Sequence, residues 1–181
     1  AVLENVPGLI SHDEGFTLRI ILRKLVRMGY SCTIPEEIIF DDESPKKLKN
    51  SAKHMVLRAA DFGVPQIRRR IYIVLWRKDL IGNFEYPVPT GEKTRVGDIL
   101  DVNPPEKYTI SDRLWEGHQL RKENNKKSGK GFGYGLCYHD SEYTNTISAR
   151  YYKDGSECLI DQSEIGKNPR KITPNEARKL Q

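Results

Sequence analysis

The chain has 181 residues, 30% of them charged and 37% hydrophobic, with a formal net charge of +5. That length holds one full domain, or one domain plus part of another. No apolar run approaches the roughly 18 residues a membrane helix needs, and the positive balance leans toward a polyanionic partner.

Residues 1–8 read as a strand and a turn, Ala1-Val2-Leu3-Glu4-Asn5-Val6 followed by Pro7-Gly8. With no cap and no leader, the opening resembles the end of a buried strand, and secretion is not expected. From Asp13 to Met28 the pattern is helical. Leu18, Ile21, Leu22, Leu25 and Met28 recur at three- and four-residue spacing, with Arg19, Arg23, Lys24 and Arg27 on the other side. Gly29 ends that helix and Tyr30–Thr33 reads as a strand.

Residues 34–52 carry acidic then basic side chains and read as a surface excursion with an apolar patch at Ile38-Ile39-Phe40. Met55-Val56-Leu57 resumes a strand. A loop follows, and Ile71–Trp76 forms an apolar run suited to a strand buried on both faces. Four of the ten prolines fall between Tyr86 and Pro105, marking a domain edge. Beyond it, Thr144–Arg150 and Glu157–Asp161 are the best strand candidates, joined by a hairpin-type turn at Lys153-Asp154-Gly155. Thr173-Pro174-Asn175-Glu176 has the residues of a helix start: Thr as cap, Pro first, Glu third. The chain stops about two turns later without a C-terminal signal, so a fragment of a longer protein is expected. Cys32, Cys137 and Cys158 cannot all pair and fit no zinc spacing. They are read as reduced thiols of a cytoplasmic protein, with no metal site.

Four features carry chemistry. In Val64–Arg70, alternation puts Gln66, Arg68 and Arg70 on one side of an extended segment, each guanidinium a planar fork suited to phosphate or a base carbonyl. The alternative is a solvated basic edge before a strand. Glu4 is a carboxylate among Val2, Leu3 and Val6. In a buried strand it must pair or keep a proton, and could then donate one near neutral pH. The alternative is a structural ion pair with one of those arginines. In Lys126–Tyr138, alternating glycines let backbone approach a ligand, and interleaved Lys130, Phe132 and Tyr134 suit nucleic acid. Ser148–Lys153 is basic and aromatic beside a turn. A plain glycine loop and a plain hairpin are the respective alternatives.

In this order the pieces resemble the DNA cytosine-5 methyltransferases. Leu3-Glu4-Asn5-Val6-Pro7 is similar to that family's Glu-Asn-Val motif. Asp61–Arg70 resembles its Gln-x-Arg-x-Arg motif, Arg170–Gln181 the start of its ninth motif, and Thr146-Ile147 its Thr-Leu pair in the recognition region. Gly131–Leu136 with Thr146–Ile160 further resembles the Dcm-like branch, whose members act at CC-x-GG-type sites. Three motifs in correct order over nearly the whole chain are far more specific than any one alone.

The resemblance implies an α/β fold. Residues 1–85 would be the C-terminal half of a doubly wound, Rossmann-like catalytic sheet. Residues 86–170 would be a small, mostly β or irregular target recognition domain, and residues 171–181 the start of a helix returning to the catalytic domain. It implies methyl transfer from S-adenosyl-L-methionine to carbon 5 of a cytosine flipped out of double-stranded DNA. Glu4 would act at ring nitrogen 3 and Arg70, with Arg68 beside it, near the base carbonyl. Gln66 would shape the loop and Asn5 anchor the strand end. Arg121, Lys126, Lys127 and Lys130 would contact phosphates, with Thr146, Arg150, Tyr151 and Lys153 nearer the bases. A cognate restriction endonuclease is the further partner the family implies.

The departures are as specific. None of the three cysteines follows a proline, and no glycine-rich loop precedes Glu4. The nucleophile and nearly all of the cofactor pocket are thus expected outside this chain, which alone should be inactive. Competing readings are a non-catalytic DNA-binding module, or half of a split enzyme, and a surface domain whose arginines are structural.

Overall fold

The computed structural model describes residues 1–80 and 82–181, which form two compact units. One comprises residues 1–58 with 69–89, the other residues 59–68 with 90–181.

The first unit is α/β. Strand β1 (Val2–Asn5) is followed by helix α1 (Phe16–Arg27), strand β2 (Tyr30–Ser31), helices α2 (Glu36–Phe40) and α3 (Pro45–Ser51), and strands β3 (Val56–Arg58), β4 (Arg69–Val74) and β5 (Trp76–Arg77). The main sheet has the order β1-β4-β3 and both pairings are antiparallel. Glu4 stands opposite Tyr72 and Asn5 opposite Ile71, while Leu57 faces Arg70. Side chains alternate across a strand. Ile71, Ile73 and Leu75 therefore enter the core with Leu18, Leu22 and Val26 of α1, while Arg70 and Tyr72 share the opposite face with Glu4. Gly29 ends α1 with φ +88°, a conformation costly for any residue with a Cβ.

Residues 34–52 are not a surface excursion. Ile34, Ile39, Leu48 and Ala52 are buried in the same core as α1 and β4. Two short helices each turn an apolar side inward and leave the charges outside, where Lys47 pairs with Asp41 at 3.2 Å and Arg23 with Asp42 at 2.7 Å. The face of α1 is rotated from its expected position. Met28 is 70% exposed, whereas Arg19 is buried, 3.6 Å from the Asp42 carboxylate. The run 71–76 buries alternate residues rather than both faces.

The second unit holds helix α4 (Asp112–Lys127), strand β6 (Leu136–Cys137), helix α5 (Tyr151–Asp154), strands β7 (Leu159–Ile160) and β8 (Arg170–Lys171), and helix α6 (Pro174–Lys179). Its sheet runs β6-β7-β8, parallel then antiparallel. The core gathers Val96, Ile99, Cys137, Cys158, Ile160, Ile172 and Leu180.

One expectation fails in this unit. No hairpin joins 144–150 to 157–161. Residues 151–154 make one helical turn closed by Gly155 at φ +68°, and β7 pairs with β6 and β8 instead. A region expected to be mostly β or irregular also contains α4, 16 residues long. The capping box of α6 forms as its sequence indicates, Thr173 Oγ1 accepting from Glu176 N while Glu176 accepts from Thr173 N. That helix, expected to return to the catalytic domain, packs through Ala177 and Leu180 within the second unit.

Candidate active site

Glu4 and Arg70 meet on the sheet face turned away from the core. The register sets Glu4 opposite Tyr72, and Arg70 lies two residues back along β4, so the pair is diagonal across adjacent strands. Arg70 Nε lies 2.8 Å from Glu4 Oε1, and Arg70 Nη1 donates to the Arg69 carbonyl at 2.8 Å. The Glu4 side chain is 43% exposed and that of Arg70 18%. The carboxylate is thus not enclosed as its apolar neighbours in the sequence suggest. Among the described residues β1 has β4 alone as its neighbour, and an edge strand leaves one flank open. An exposed pair of this kind adds on the order of 0–1 kcal/mol to stability. Its chemistry is what distinguishes it: an acceptor that can share a proton sits beside a permanently charged planar donor.

Asn5 Oδ1 accepts from Val6 N at 2.8 Å at the end of β1. Tyr72 was not singled out by its sequence. The alternation Arg70, Tyr72, Val74 is the signal that places it on the same face as the pair.

Within the second unit, the segment carrying Gln66 runs beside residues 144–146. Gln66 pairs with Thr144 in a short parallel bridge. Thr144 N donates to Pro65 O at 2.8 Å and Ile67 N donates to Thr144 O at 2.9 Å. Thr146 Oγ1 donates to Ile67 O at 2.6 Å. Gln66 is fully buried, and among the described residues neither Nε2 nor Oε1 has a partner. Arg68 is half-buried, its carbonyl accepting from Ala59 N at 2.9 Å.

The remaining candidates divide by burial. Lys126, Lys127, Lys130, Arg150 and Lys153 are exposed, the first two on the last turn of α4 and Arg150 capping α5. Arg121 is engaged by Asp154 Oδ2 at 3.3 Å and by His118 Nδ1 at 2.6 Å. Tyr151 points into the core of its unit. Its hydroxyl donates to Cys158 O and accepts from Ile172 N at 2.8 Å, and burial pushes its pKa above the usual tyrosine range. Lys122 and Tyr134 also form a unit that sequence reasoning missed, the ammonium lying 4.1 Å from the ring centre. Cys137 and Cys158 are free thiols in mutual contact, and the bond to Cys137 together with burial holds Cys158 well above the ordinary thiol range.

The family described as C-5 cytosine-specific DNA methylase matches residues 1–181. The chain is 52% identical over 180 residues to the type II methyltransferase M.NlaX of Neisseria lactamica, covering 99% of this chain and 50% of that protein. It is 52% identical over 184 residues to M1.ScrFI of Lactococcus lactis subsp. cremoris, covering 99% and 41%. Against the DNA-cytosine methyltransferase of Escherichia coli (strain K12) it is 33% identical over 201 residues, covering 99% and 40%. The chain thus spans about half the length, or less, of these curated relatives. Its fold is similar to that of the Entamoeba histolytica methyltransferase EhMeth, with TM-score 0.64 and 21% identity over 99% of this chain and 49% of that one. It is also similar to the S. pombe Dnmt2 methyltransferase, with TM-score 0.62 and 16% identity over 99% and 51%.

Proposed function

The chain belongs to the C-5 cytosine-specific DNA methylase family, and from that membership we propose that it forms the base-holding and target-recognition part of a DNA cytosine-5 methyltransferase. The first unit is then the C-terminal half of a doubly wound catalytic sheet, and the second belongs to target recognition. The substrate is a cytosine flipped out of duplex DNA. The curated relatives are named type II methyltransferases, and by that likeness we set this enzyme in a restriction-modification system with a cognate endonuclease.

The observation that carries the reading is the Glu4–Arg70 pair, 2.8 Å apart on one sheet face. A cytosine entering between the two groups replaces their direct bond. Its ring nitrogen 3 then faces the Glu4 carboxyl and its carbonyl oxygen faces the Arg70 guanidinium. Addition of a nucleophile to ring carbon 6 pushes electrons toward both positions. Glu4 meets that charge with a proton or hydrogen bond at nitrogen 3, and Arg70 meets it with a fixed positive charge. Arg68 supports the same loop.

The depressions described in the first unit do not fit S-adenosyl-L-methionine. Two depressions among the described residues of the first unit are open and charged, one formed by Met28–Tyr30 with Arg77–Asp79, the other by Glu14 with Glu43–Lys46 and Lys49. Neither offers an apolar slot for an adenine ring. We place the methyl donor and the attacking thiolate on polypeptide outside residues 1–181, and this chain alone should not methylate DNA.

The test is Glu4→Gln in the full-length protein. Methyl transfer should fall by about 10²–10⁴-fold while DNA binding persists, and Arg70→Ala should lower turnover more than affinity. Unchanged methyl transfer in Glu4→Gln would defeat the assignment. The exposure of Lys126, Lys127, Lys130, Arg150 and Lys153 favours one further reading, a DNA-binding module with no chemistry of its own.

A further inference from the structure

We infer that Thr146 is a positioning residue, coupling the recognition segment to the arginines of the Gln66–Arg70 segment through its hydrogen bond to the Ile67 carbonyl. Three bonds join residues 65–67 to residues 144–146: Thr144 N to Pro65 O at 2.8 Å, Ile67 N to Thr144 O at 2.9 Å, and Thr146 Oγ1 to Ile67 O at 2.6 Å. The first two are backbone bonds that any residues could make. The third depends on a hydroxyl, and its acceptor belongs to the peptide joining Ile67 to Arg68. Thr146 thereby fixes the plane from which the chain runs on through Arg68 to Arg70.

The other side of the recognition segment is tied as firmly. Asn145 Nδ2 donates to Glu157 O at 3.2 Å, and Gly135 packs so closely that an added Cβ would lie 2.4 Å from both groups. Thr144 and Gln66 are fully buried at the centre of the ladder. The segment is thus held between Gly135 and Glu157 on one side and residues 65–67 on the other. A shift in residues 144–146 on meeting DNA has a direct hydrogen-bonded route to the Ile67–Arg68 peptide. The Thr146 hydroxyl is committed to that route, so its first role is geometric rather than contact with DNA.

Two measurements separate this inference from the methyl-transfer reading on which its kinetic part rests. In this chain, amide hydrogen exchange should show Ile67 and Thr144 protected in the wild type. Thr146→Val, which keeps the shape and removes the donor, should speed exchange at Ile67 and Arg68, and Thr146→Ser should restore it. In the full-length protein Thr146→Val should lower kcat by about tenfold or more, with KM for DNA and the salt dependence of binding unchanged, and Thr146→Ser should recover the rate. An unprotected Ile67 amide in the wild type, or exchange indifferent to Thr146→Val, overturns the tether. So does a loss confined to DNA affinity, which would make Thr146 a DNA contact. A wild-type protein without methyl transfer would defeat the function proposed above, while exchange still decides the tether.

Discussion

His118 lies on α4, is only 1% exposed, and has both ring nitrogens engaged. Arg121 can only donate, so Nδ1 accepts from its Nη2 at 2.6 Å, and Nε2 donates to the Asp154 carbonyl at 3.1 Å. That arrangement needs the neutral ring. Burial holds the pKa below the ordinary 6.5, with the Arg121 charge acting in the same direction. The unfolded ring takes up a proton near 6.5 and the folded ring resists it. The stabilisation is therefore complete above that pH and is lost as the pH falls through the lower folded value. Urea midpoints should drop between about pH 7 and pH 5, and His118→Gln should flatten that slope. A midpoint constant over the window would contradict the assignment. At this scale the sequence was informative where chemistry and alternation coincide, as for Glu4 and Arg70. It was uninformative where burial decides: the aromatic, basic context of Tyr151 offers it to DNA, yet its hydroxyl joins Cys158 to Ile172 inside the unit.

Among elements, α6 is anchored by a buried ion pair. Glu176 takes two bonds from Arg170, each 2.8 Å, and also accepts from Asp101 N and Thr173 N, both at 2.7 Å. Glu176→Ala would leave a guanidinium buried without its carboxylate, at a cost of about 3–5 kcal/mol in chemical denaturation. A change below 1 kcal/mol would show that solvent reaches Arg170. The capping box made this helix legible, and three- and four-residue spacing did the same for α1. Helix α4 was not legible because its apolar stripe is thin. Leu114, Trp115 and His118 are its inward-facing residues, Leu120 is exposed, and nearly all the rest is polar. Its signals lie at its ends, where Ser111 Oγ accepts from Leu114 N and Lys126 and Lys127 complement the C-terminal dipole. The hairpin reading failed because Asp-Gly serves equally well as a helix end, the use it has at Gly155.

For the whole molecule, the positive balance includes two contrasting sets of side chains. Arg19, Arg70, Arg121 and Arg170 are held by carboxylates, while Lys126, Lys127, Lys130, Arg150 and Lys153 are exposed in the second unit. If the exposed set meets phosphates, log affinity should fall with log salt by about 0.9 for each contact, and each Lys→Ala should reduce the slope by about one. A slope near zero would remove DNA as the partner of that surface.

Strand β1 has a consequence for the protein in the test tube. Val2 and Leu3 are exposed on a strand whose outer row of N–H and C=O groups faces away from β4. Such a margin is a template on which a foreign strand can grow. A concentrated preparation of residues 1–181 will tend to zip together margin to margin, and a strand grafted ahead of Ala1 should keep it dispersed.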